Sequence, residues 1–400
     1  MSRILTPLQL RIRRQNVRKM ASIPFDSVCR DMIHVNALSF GSPGSGKSTL
    51  NSKLTQISSD KYGRVPYKSV NDIDRKEAHL DKKKSMDRGS KNATHLEWDT
   101  SKIRVAHTDV PTASLYVKNF LTHISIIDAA IWVIDGNEGV LQDATTQYKV
   151  IKHMASNNSY LNVIPFISNN PNPEDLELIK MDLKEILTKN ECNRILSDPH
   201  QIPDLMDNIF ESKQRKTGGS LLWPLENVGN IPSKGTFIAG RLMQGSVKDL
   251  ETVTAFYRGN SSPVTIRSCE IFKRPCGYLL SQERGGAYIR IKHESSLELK
   301  KGGVLYKTGD SEMCIGSRWE VKLSCDQHKV LKGSQSTVLI HRTLYDGSCR
   351  IDENEIQLSP EKSVCSKIVL SYPIVARKDD PFLIKLPNFY VYGVFMNILD

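Results

Sequence analysis

Eight residues near the start of the chain constrain its fold more than any other feature. Gly41-Ser42-Pro43-Gly44-Ser45-Gly46-Lys47-Ser48 matches the pattern G-x-x-x-x-G-K-[ST] at every fixed position. An apolar run of strand length, residues 34–40, precedes the motif, and a helical stretch follows from Lys47. Such a turn wraps backbone N–H groups around an anion, and its glycines permit the positive φ angles that the wrap requires. The motif therefore predicts a phosphate site between a strand and a helix N-terminus.

The first half of the chain alternates buried strands with helices. Further strands are predicted at residues 103–107, 128–134 and 163–167, a helix at 145–154 and an amphipathic helix at 174–187. The polar segment at residues 58–91 predicts a long loop. Alternation of this kind indicates a parallel sheet that is covered on both faces.

The second half has a different pattern. From residue 221 onward, short alternating strands are separated by Gly, Pro, Asn and Asp turns, which is typical of all-β structure. Residues 221–400 fit two small barrels better than one. We therefore expect an α/β domain at residues 34–216, a β-barrel domain at 217–311 and a second at 312–400, after an N-terminal segment of residues 1–33.

That N-terminal segment is rich in arginine and has no acidic residue before Asp26. Leucines are interleaved with the arginines, so the segment predicts a cleavable mitochondrial presequence and a location in the matrix. The alternative is a flexible basic tail that contacts RNA. The net charge of +11 also favours a polyanionic partner such as RNA.

Two classes of protein are disfavoured by the sequence. No run of eighteen apolar residues is present, so a membrane span is not expected. The eight cysteines form no C-x-x-C pair and have no histidine cluster beside them, which disfavours a zinc or disulfide framework. Free thiols in a reducing compartment are expected instead.

Segments beyond the phosphate loop are similar, in order and spacing, to those of one protein family. The segments are Asp109-Val110-Pro111, Tyr116-Val117-Lys118-Asn119, Lys234-Gly235-Thr236, Gly240-Arg241, Glu270-Ile271-Phe272-Lys273 and Gly302-Gly303-Val304-Leu305-Tyr306-Lys307. Over residues 34–400 the chain resembles the elongation factor Tu family of translational GTPases, in its mitochondrial type. The resemblance implies an α/β P-loop GTPase domain followed by two small antiparallel β-barrel domains.

The resemblance also implies ligands, partners and site residues. A member of this family binds GTP or GDP with Mg²⁺ and delivers aminoacyl-tRNA to the A site of the ribosome, here the mitochondrial one. A monomer that works with a guanine-nucleotide exchange factor is expected. The implied nucleotide contacts are Gly41, Gly44, Ser45, Gly46, Lys47, Ser48, Thr49, Asp109 and Asn169. Ser48 and Asp109 are the implied Mg²⁺ ligands, and Lys118, Asn119, Glu270 and Phe272 the implied tRNA contacts.

The chain departs from the family pattern at positions that matter for chemistry. Thr112 replaces the glycine that senses the γ-phosphate, and Ala113 replaces the histidine that orients the attacking water, so no catalytic position is intact. His107 and His123 have the wrong spacing to substitute and are expected to be structural. Ser168 and Pro171 replace the asparagine and aspartate that read guanine, which leaves Asn169 and Asn170 as the candidates to replace them in part.

These departures leave the function open at this stage. One interpretation is a working GTPase of mitochondrial translation. Another is a catalytically degenerate relative that binds nucleotide, or RNA and the ribosome, as a scaffold without efficient hydrolysis. A P-loop kinase or ATPase is a third, which the two predicted β domains disfavour.

Overall fold

The computed structural model describes residues 32–399, except for 74–93, 111–119, 121–122, 125–126, 157, 159–160, 170, 212–217, 233, 272–273, 292–296, 308–312, 334–336, 342, 344–345, 361 and 388. Nearly all of the predicted presequence therefore lies outside the described residues. So do the predicted domain junctions near residues 216–217 and 311–312.

The N-terminal domain is built on a five-stranded sheet in the order β2-β3-β1-β4-β5. β2 is antiparallel to β3, and the other neighbours are parallel. All six apolar residues of β4 are buried, as expected for a central strand with both faces covered. The strands are β1 Ile33–Phe40, β2 Thr94–Asp99, β3 Ile103–Asp109, β4 Ala129–Asp135 and β5 Asn162–Ser168.

The described helices of this domain are α1 Lys47–Tyr62, α2 Gln142–Met154, α3 Pro173–Ile186, α4 Lys189–Cys192 and α5 Gln201–Phe210. None of them has the length and apolar character that crossing a bilayer requires. The prediction of a loop from Ser58 is wrong at its start, because α1 continues to Tyr62 and ends at Gly63 with a φ of 62°. Ser58 is buried in the helix, and its Oγ accepts a hydrogen bond of 2.7 Å from Asp99 N.

The second domain is an eight-stranded sheet around one apolar core. Its main path runs β6-β15-β10-β11-β14-β8-β7, and β12 pairs with β11. Hydrogen bonds from Met243 N and Gln244 N to Leu222 O join β6 to the segment that follows β8, and β9 pairs with β13 in a separate two-stranded sheet. The strands are β6 Leu222–Pro224, β7 Asn227–Ile231, β8 Gly235–Arg241, β9 Ser246–Lys248, β10 Thr252–Tyr257, β11 Asn260–Ile271, β12 Arg274–Pro275, β13 Tyr278–Leu280, β14 Arg284–Ile291 and β15 Val304–Tyr306.

The third domain is a closed barrel in the order β16-β21-β19-β18-β22-β23, and β17 and β20 form a separate pair. Its core surrounds Trp319, Phe382 and Phe395. The fold class predicted from the sequence, an α/β domain followed by β-rich domains, is confirmed. The strands are β16 Cys314–Ser324, β17 Lys329–Lys332, β18 Thr337–His341, β19 Asp346–Ile351, β20 Glu355–Leu358, β21 Val364–Ala376, β22 Pro381–Lys385 and β23 Tyr390–Ile398.

Helix α2 packs against the third domain. Leu383 and Tyr392 belong to the same apolar cluster as the α2 face of the N-terminal sheet. His153 Nε2 donates to Phe382 O at 3.0 Å and to Gly393 O at 3.1 Å, and its ring contacts Tyr392 edge-on. Burial lowers the pKa of His153, against the effect of these two carbonyls. A neutral imidazole therefore links the first domain to the third.

A buried ion pair links the first domain to the second. Arg241, at the end of β8, donates to Asp128 Oδ1 at 2.6 Å, and both side chains are at least 98% buried. Asp128 Oδ2 accepts from the N and Nδ2 of Asn36 in β1 at 2.9 and 3.0 Å. Asn36 Nδ2 also donates to Gln282 O of the second domain at 3.0 Å. The strand that leads to the phosphate loop is therefore hydrogen-bonded to the second domain.

Candidate functional site

The turn between β1 and α1 has the geometry of a phosphate-binding loop. Gly41, Gly44 and Gly46 have φ angles of 141°, 85° and 87°, which L-residues with side chains rarely adopt. A Cβ at Gly41 would also lie 2.1 Å from Val133 O of β4, so only glycine fits against the neighbouring strand. Ser45 Oγ is buried and has no hydrogen-bond partner among the described residues.

Lys47 begins α1 and folds back over the loop. Its Nζ donates to Gly41 O at 3.1 Å and to Ser42 O at 2.7 Å. Burial lowers the pKa of Lys47 to about 8, although the carboxylates of Asp109 and Asp143 act in the opposite direction. An ammonium group whose charge is only partly compensated by the protein is suited to bind phosphate oxygens.

Ser48 and Asp109 meet beside this lysine. Ser48 Oγ donates to Asp109 Oδ2 at 3.0 Å, and Asp109 ends β3 with only 8% of its surface exposed. A hydroxyl and a carboxylate are hard oxygen donors of the kind that Mg²⁺ takes alongside phosphate oxygens. The predicted pair is therefore brought together, whereas Thr49 lies on the exposed side of α1.

The residues of the loop and of its surroundings fit a nucleotide with its metal ion. The glycines leave room for an anion, Lys47 supplies a cation, and Ser48 with Asp109 supplies the metal ligands. The helix N-terminus adds partial positive charge. The structure therefore contains the glycine turn, the lysine and the pair of oxygen donors that the sequence motif predicts.

Helix α2 contributes two residues that the sequence analysis missed. Asp143 Oδ1 accepts from Ser42 Oγ at 2.7 Å, and Gln147 Oε1 accepts from Gly41 N at 3.3 Å. The helix was predicted to begin at Thr145, but it begins at Gln142, so Asp143 lies in its first turn. An acidic residue in that position is a helix-start signal that the sequence did contain.

The end of β5 contacts the phosphate loop but supplies no carboxylate that could read a base. Ser168 Oγ donates to Ser45 O at 2.9 Å and to Ile134 O at 3.2 Å, so it ties β5 to the phosphate loop. Asn169 has a φ of 60°, and its Nδ2 donates to Asp135 Oδ1 at 2.9 Å. Pro171 packs against Gly136 and supplies no carboxylate for a base.

A buried polar chain beneath the loop involves His107. Trp98 Nε1 donates to His107 Nδ1 at 3.0 Å, so Nε2 carries the proton and donates to Ser39 Oγ at 2.8 Å. Ser39 Oγ then donates to Asn51 Oδ1 at 2.9 Å. Burial lowers the pKa of His107 to about 3, which keeps the ring neutral. The side chain is fully buried, in agreement with the expectation of a structural role.

The predicted switch and tRNA residues are only partly described. Thr112, Ala113, Lys118, Asn119 and Phe272 lie outside the described residues. Glu270 is described in β11, where it pairs with Gly286 of β14.

Gly286 occupies the position at which the resemblance places an asparagine of the aminoacyl pocket. A Cβ there would lie 2.5 Å from the ring of Phe237. Because this ring lies against the glycine, a larger side chain at position 286 would displace it.

Comparison with known proteins decides the family. Residues 32–267, more than half of the chain, match the family described as "Elongation factor Tu GTP binding domain". The chain belongs to the elongation factor Tu family of translational GTPases. Membership of this family implies binding of GTP and GDP.

Solved structures of elongation factors have the same fold. Translation elongation factor SelB from Methanococcus maripaludis with the GTP analogue GppNHp matches with a TM-score of 0.68 and 17% identity, over 92% of this chain and 80% of that one. Its apo form matches with a TM-score of 0.66, 18% identity and the same coverage. A bacterial selenocysteine-specific elongation factor, EF-Sec, gives a TM-score of 0.68 and 18% identity over 91% of this chain and 58% of that one.

Proposed function

We propose that this elongation factor Tu family member acts in mitochondrial translation and delivers aminoacyl-tRNA to the ribosomal A site in a GTP-dependent manner. The observation that carries the proposal is the formed phosphate loop, in which Lys47, Ser48 and Asp109 surround a glycine turn that excludes side chains. The names of the similar structures, elongation factors of the selenocysteine type, support a role with tRNA and the ribosome. The arginine-rich N-terminus supports the mitochondrial assignment.

In this function the chain's own residues have separate tasks. The N–H groups of the loop and the Lys47 ammonium bind the phosphates, and Ser168 keeps the loop attached to β5. Ser48 and Asp109 would hold Mg²⁺, which would supply charge neutralisation for the phosphates. The buried pair of Asp128 and Arg241 ties β1 to the second domain through Asn36.

The decisive experiment is titration of purified protein with labelled GTP, GDP and ATP. We expect GTP and GDP to bind and Lys47→Ala to weaken binding at least about 100-fold, because it removes a buried charge-assisted contact to phosphate. Lys184→Ala, which removes an exposed lysine of α3, is the matched control and should bind like the wild type. Absence of binding to any of the three nucleotides by the wild type at millimolar concentration would refute the proposal.

Two further measurements test delivery and location. Aminoacyl-tRNA should be protected from hydrolysis in the presence of GTP and less so with GDP, and ribosomes should stimulate GTP turnover by the wild type. Nucleotide binding without any such protection or turnover would instead identify a scaffold.

Imported protein in isolated mitochondria should lose its N-terminal segment, and a chain that lacks residues 1–33 should not enter the mitochondria.

A further inference from the structure

Helix α2 fixes a carboxylate against the outer side of the phosphate loop. Asp143 Oδ1 accepts from Ser42 Oγ and from Ala144 N, both at 2.7 Å. Four residues further along the same helix, Gln147 Oε1 accepts from Gly41 N. The side chain of Asp143 is therefore held in place by two donors, and it belongs to a helix that is itself hydrogen-bonded to the loop.

One residue of the loop, Ser42, contacts both the Asp143 carboxylate and the Lys47 ammonium group. Ser42 donates its hydroxyl to Asp143, while its carbonyl accepts from Lys47 Nζ at 2.7 Å. The electrostatic influence of Asp143 on Lys47 is consistent with this proximity, since it raises the pKa of the lysine against the larger effect of burial. Asp109 also faces Lys47, but its carboxylate accepts a hydrogen bond from Ser48, the other predicted metal ligand.

We propose that Asp143 sets the preference of the loop between nucleotides, by disfavouring a terminal third phosphate relative to a diphosphate. The inference rests on the proposed function, in that it requires a nucleotide in this loop. A triphosphate brings about one more negative charge than a diphosphate, and it places that charge near the lysine that Asp143 already faces. At separations of roughly 8 Å and an effective dielectric constant of about 20–40, one such repulsion corresponds to roughly sixfold to thirtyfold in relative affinity.

The test compares Asp143→Asn with the wild type for both nucleotides. Asparagine keeps an oxygen that accepts from Ser42 and Ala144, so the geometry of the loop is retained while the charge is removed. We expect the ratio of GTP affinity to GDP affinity to rise roughly sixfold to thirtyfold at low salt, and the rise to shrink at about 0.5 M salt because the repulsion is screened. The melting temperature of the nucleotide-free variant should match that of the wild type.

The control is Asp182→Asn, which removes an equal charge from the exposed face of α3. It should leave the affinity ratio unchanged. Equal tightening of GTP and GDP in Asp143→Asn, or no change in either, would overturn the inference while the proposed function stands. If the wild type binds neither nucleotide, the proposed function itself fails. Loss of binding by Asp143→Asn alone would show that the carboxylate supports the loop, which also overturns the inference.

Discussion

Burial has the same effect on two basic side chains at the phosphate loop, but their neighbouring groups give them different roles. Burial lowers the pKa of Lys47 and of His107. Lys47 sits at a loop that only glycines can form and borders two carboxylates, so its charge is available for a ligand. His107 instead lies in a chain of hydrogen bonds from Trp98 to Asn51, so its neutrality holds the core together.

The prediction at the residue scale concerns His107. Its folded pKa of about 3 lies below its ordinary value of 6.5, so the unfolded chain takes up a proton first as the pH falls. The stability that neutral His107 contributes is present above pH 6.5 and is lost progressively toward pH 3, by up to roughly 4 kcal/mol. Denaturant unfolding at pH 7, 5 and 4 should show this loss in the wild type.

His107→Gln is the informative variant, because an amide can accept from Trp98 and donate to Ser39 without titrating. The stability difference between the wild type and this variant should therefore shrink as the pH falls. His328→Gln, at an exposed position of the third domain, should follow the wild type at every pH. Parallel pH profiles for the wild type and His107→Gln would contradict the prediction.

At the scale of elements, the pairing of β8 with β14 places an aromatic side chain against a glycine. The ring of Phe237 lies against Gly286 and contacts the ring of Tyr288, with centroids 5.2 Å apart. The Phe237 ring therefore fills the space beside Gly286 that a larger side chain would need.

Gly286→Ala should destabilise the protein by about 1–3 kcal/mol, because the new Cβ overlaps the ring of Phe237 and approaches Ile238 O. The double variant Phe237→Leu with Gly286→Ala should recover part of that loss. Gly229→Ala in β7 is the control, since nothing lies within 4 Å of the added Cβ. The free energy of unfolding of each variant is measured by denaturant titration. If the losses from the two substitutions simply add, the Phe237 ring does not interact with the side chain at position 286.

The sequence predicted the elements well where local pattern and tertiary packing agree. The strands from residue 103, 128 and 163 and the helix from 174 were expected within one or two residues of where they lie. The end of α1 was not, because Ser58, Ser59 and Asp60 have low helix propensity, whereas the structure adds a contact of Ser58 with Asp99 N. Local pattern does not record such a partner 41 residues away.

In the candidate site, too, the features that local sequence specifies could be predicted, and those that depend on tertiary packing could not. The loop, with Lys47, Ser48 and Asp109, could be predicted because a short motif and a strand end specify it. The contacts of Asp143 and Gln147 could not, because they depend on where α2 packs. The hydrogen bond from Ser168 Oγ to Ser45 O could not be predicted either, because it depends on how closely the end of β5 approaches the loop.

For the whole molecule, the ion pair between Asp128 and Arg241 is the most consequential contact between domains. Arg241→Met should destabilise the protein by about 3–5 kcal/mol, because it leaves the Asp128 carboxylate buried without its cation. Adding Asp128→Asn should recover much of this loss. Arg290→Met, at an exposed position of β14, should change stability by less than about 0.5 kcal/mol. A loss below about 1 kcal/mol for Arg241→Met, measured by denaturant unfolding, would show that water solvates the carboxylate in place of the arginine.

This buried pair also bears on how the chain can change over generations. A single substitution at Asp128 or Arg241 passes through an intermediate with an uncompensated charge. The Asn36 side chain donates to Asp128, and Gln282 Oε1 accepts from Arg241. Relatives of this protein should therefore either keep all four side chains or exchange them together. Loss of the second domain would remove Arg241 and leave the Asp128 carboxylate without this partner. A lineage that lost the domain would therefore first have had to replace Asp128 by a neutral residue.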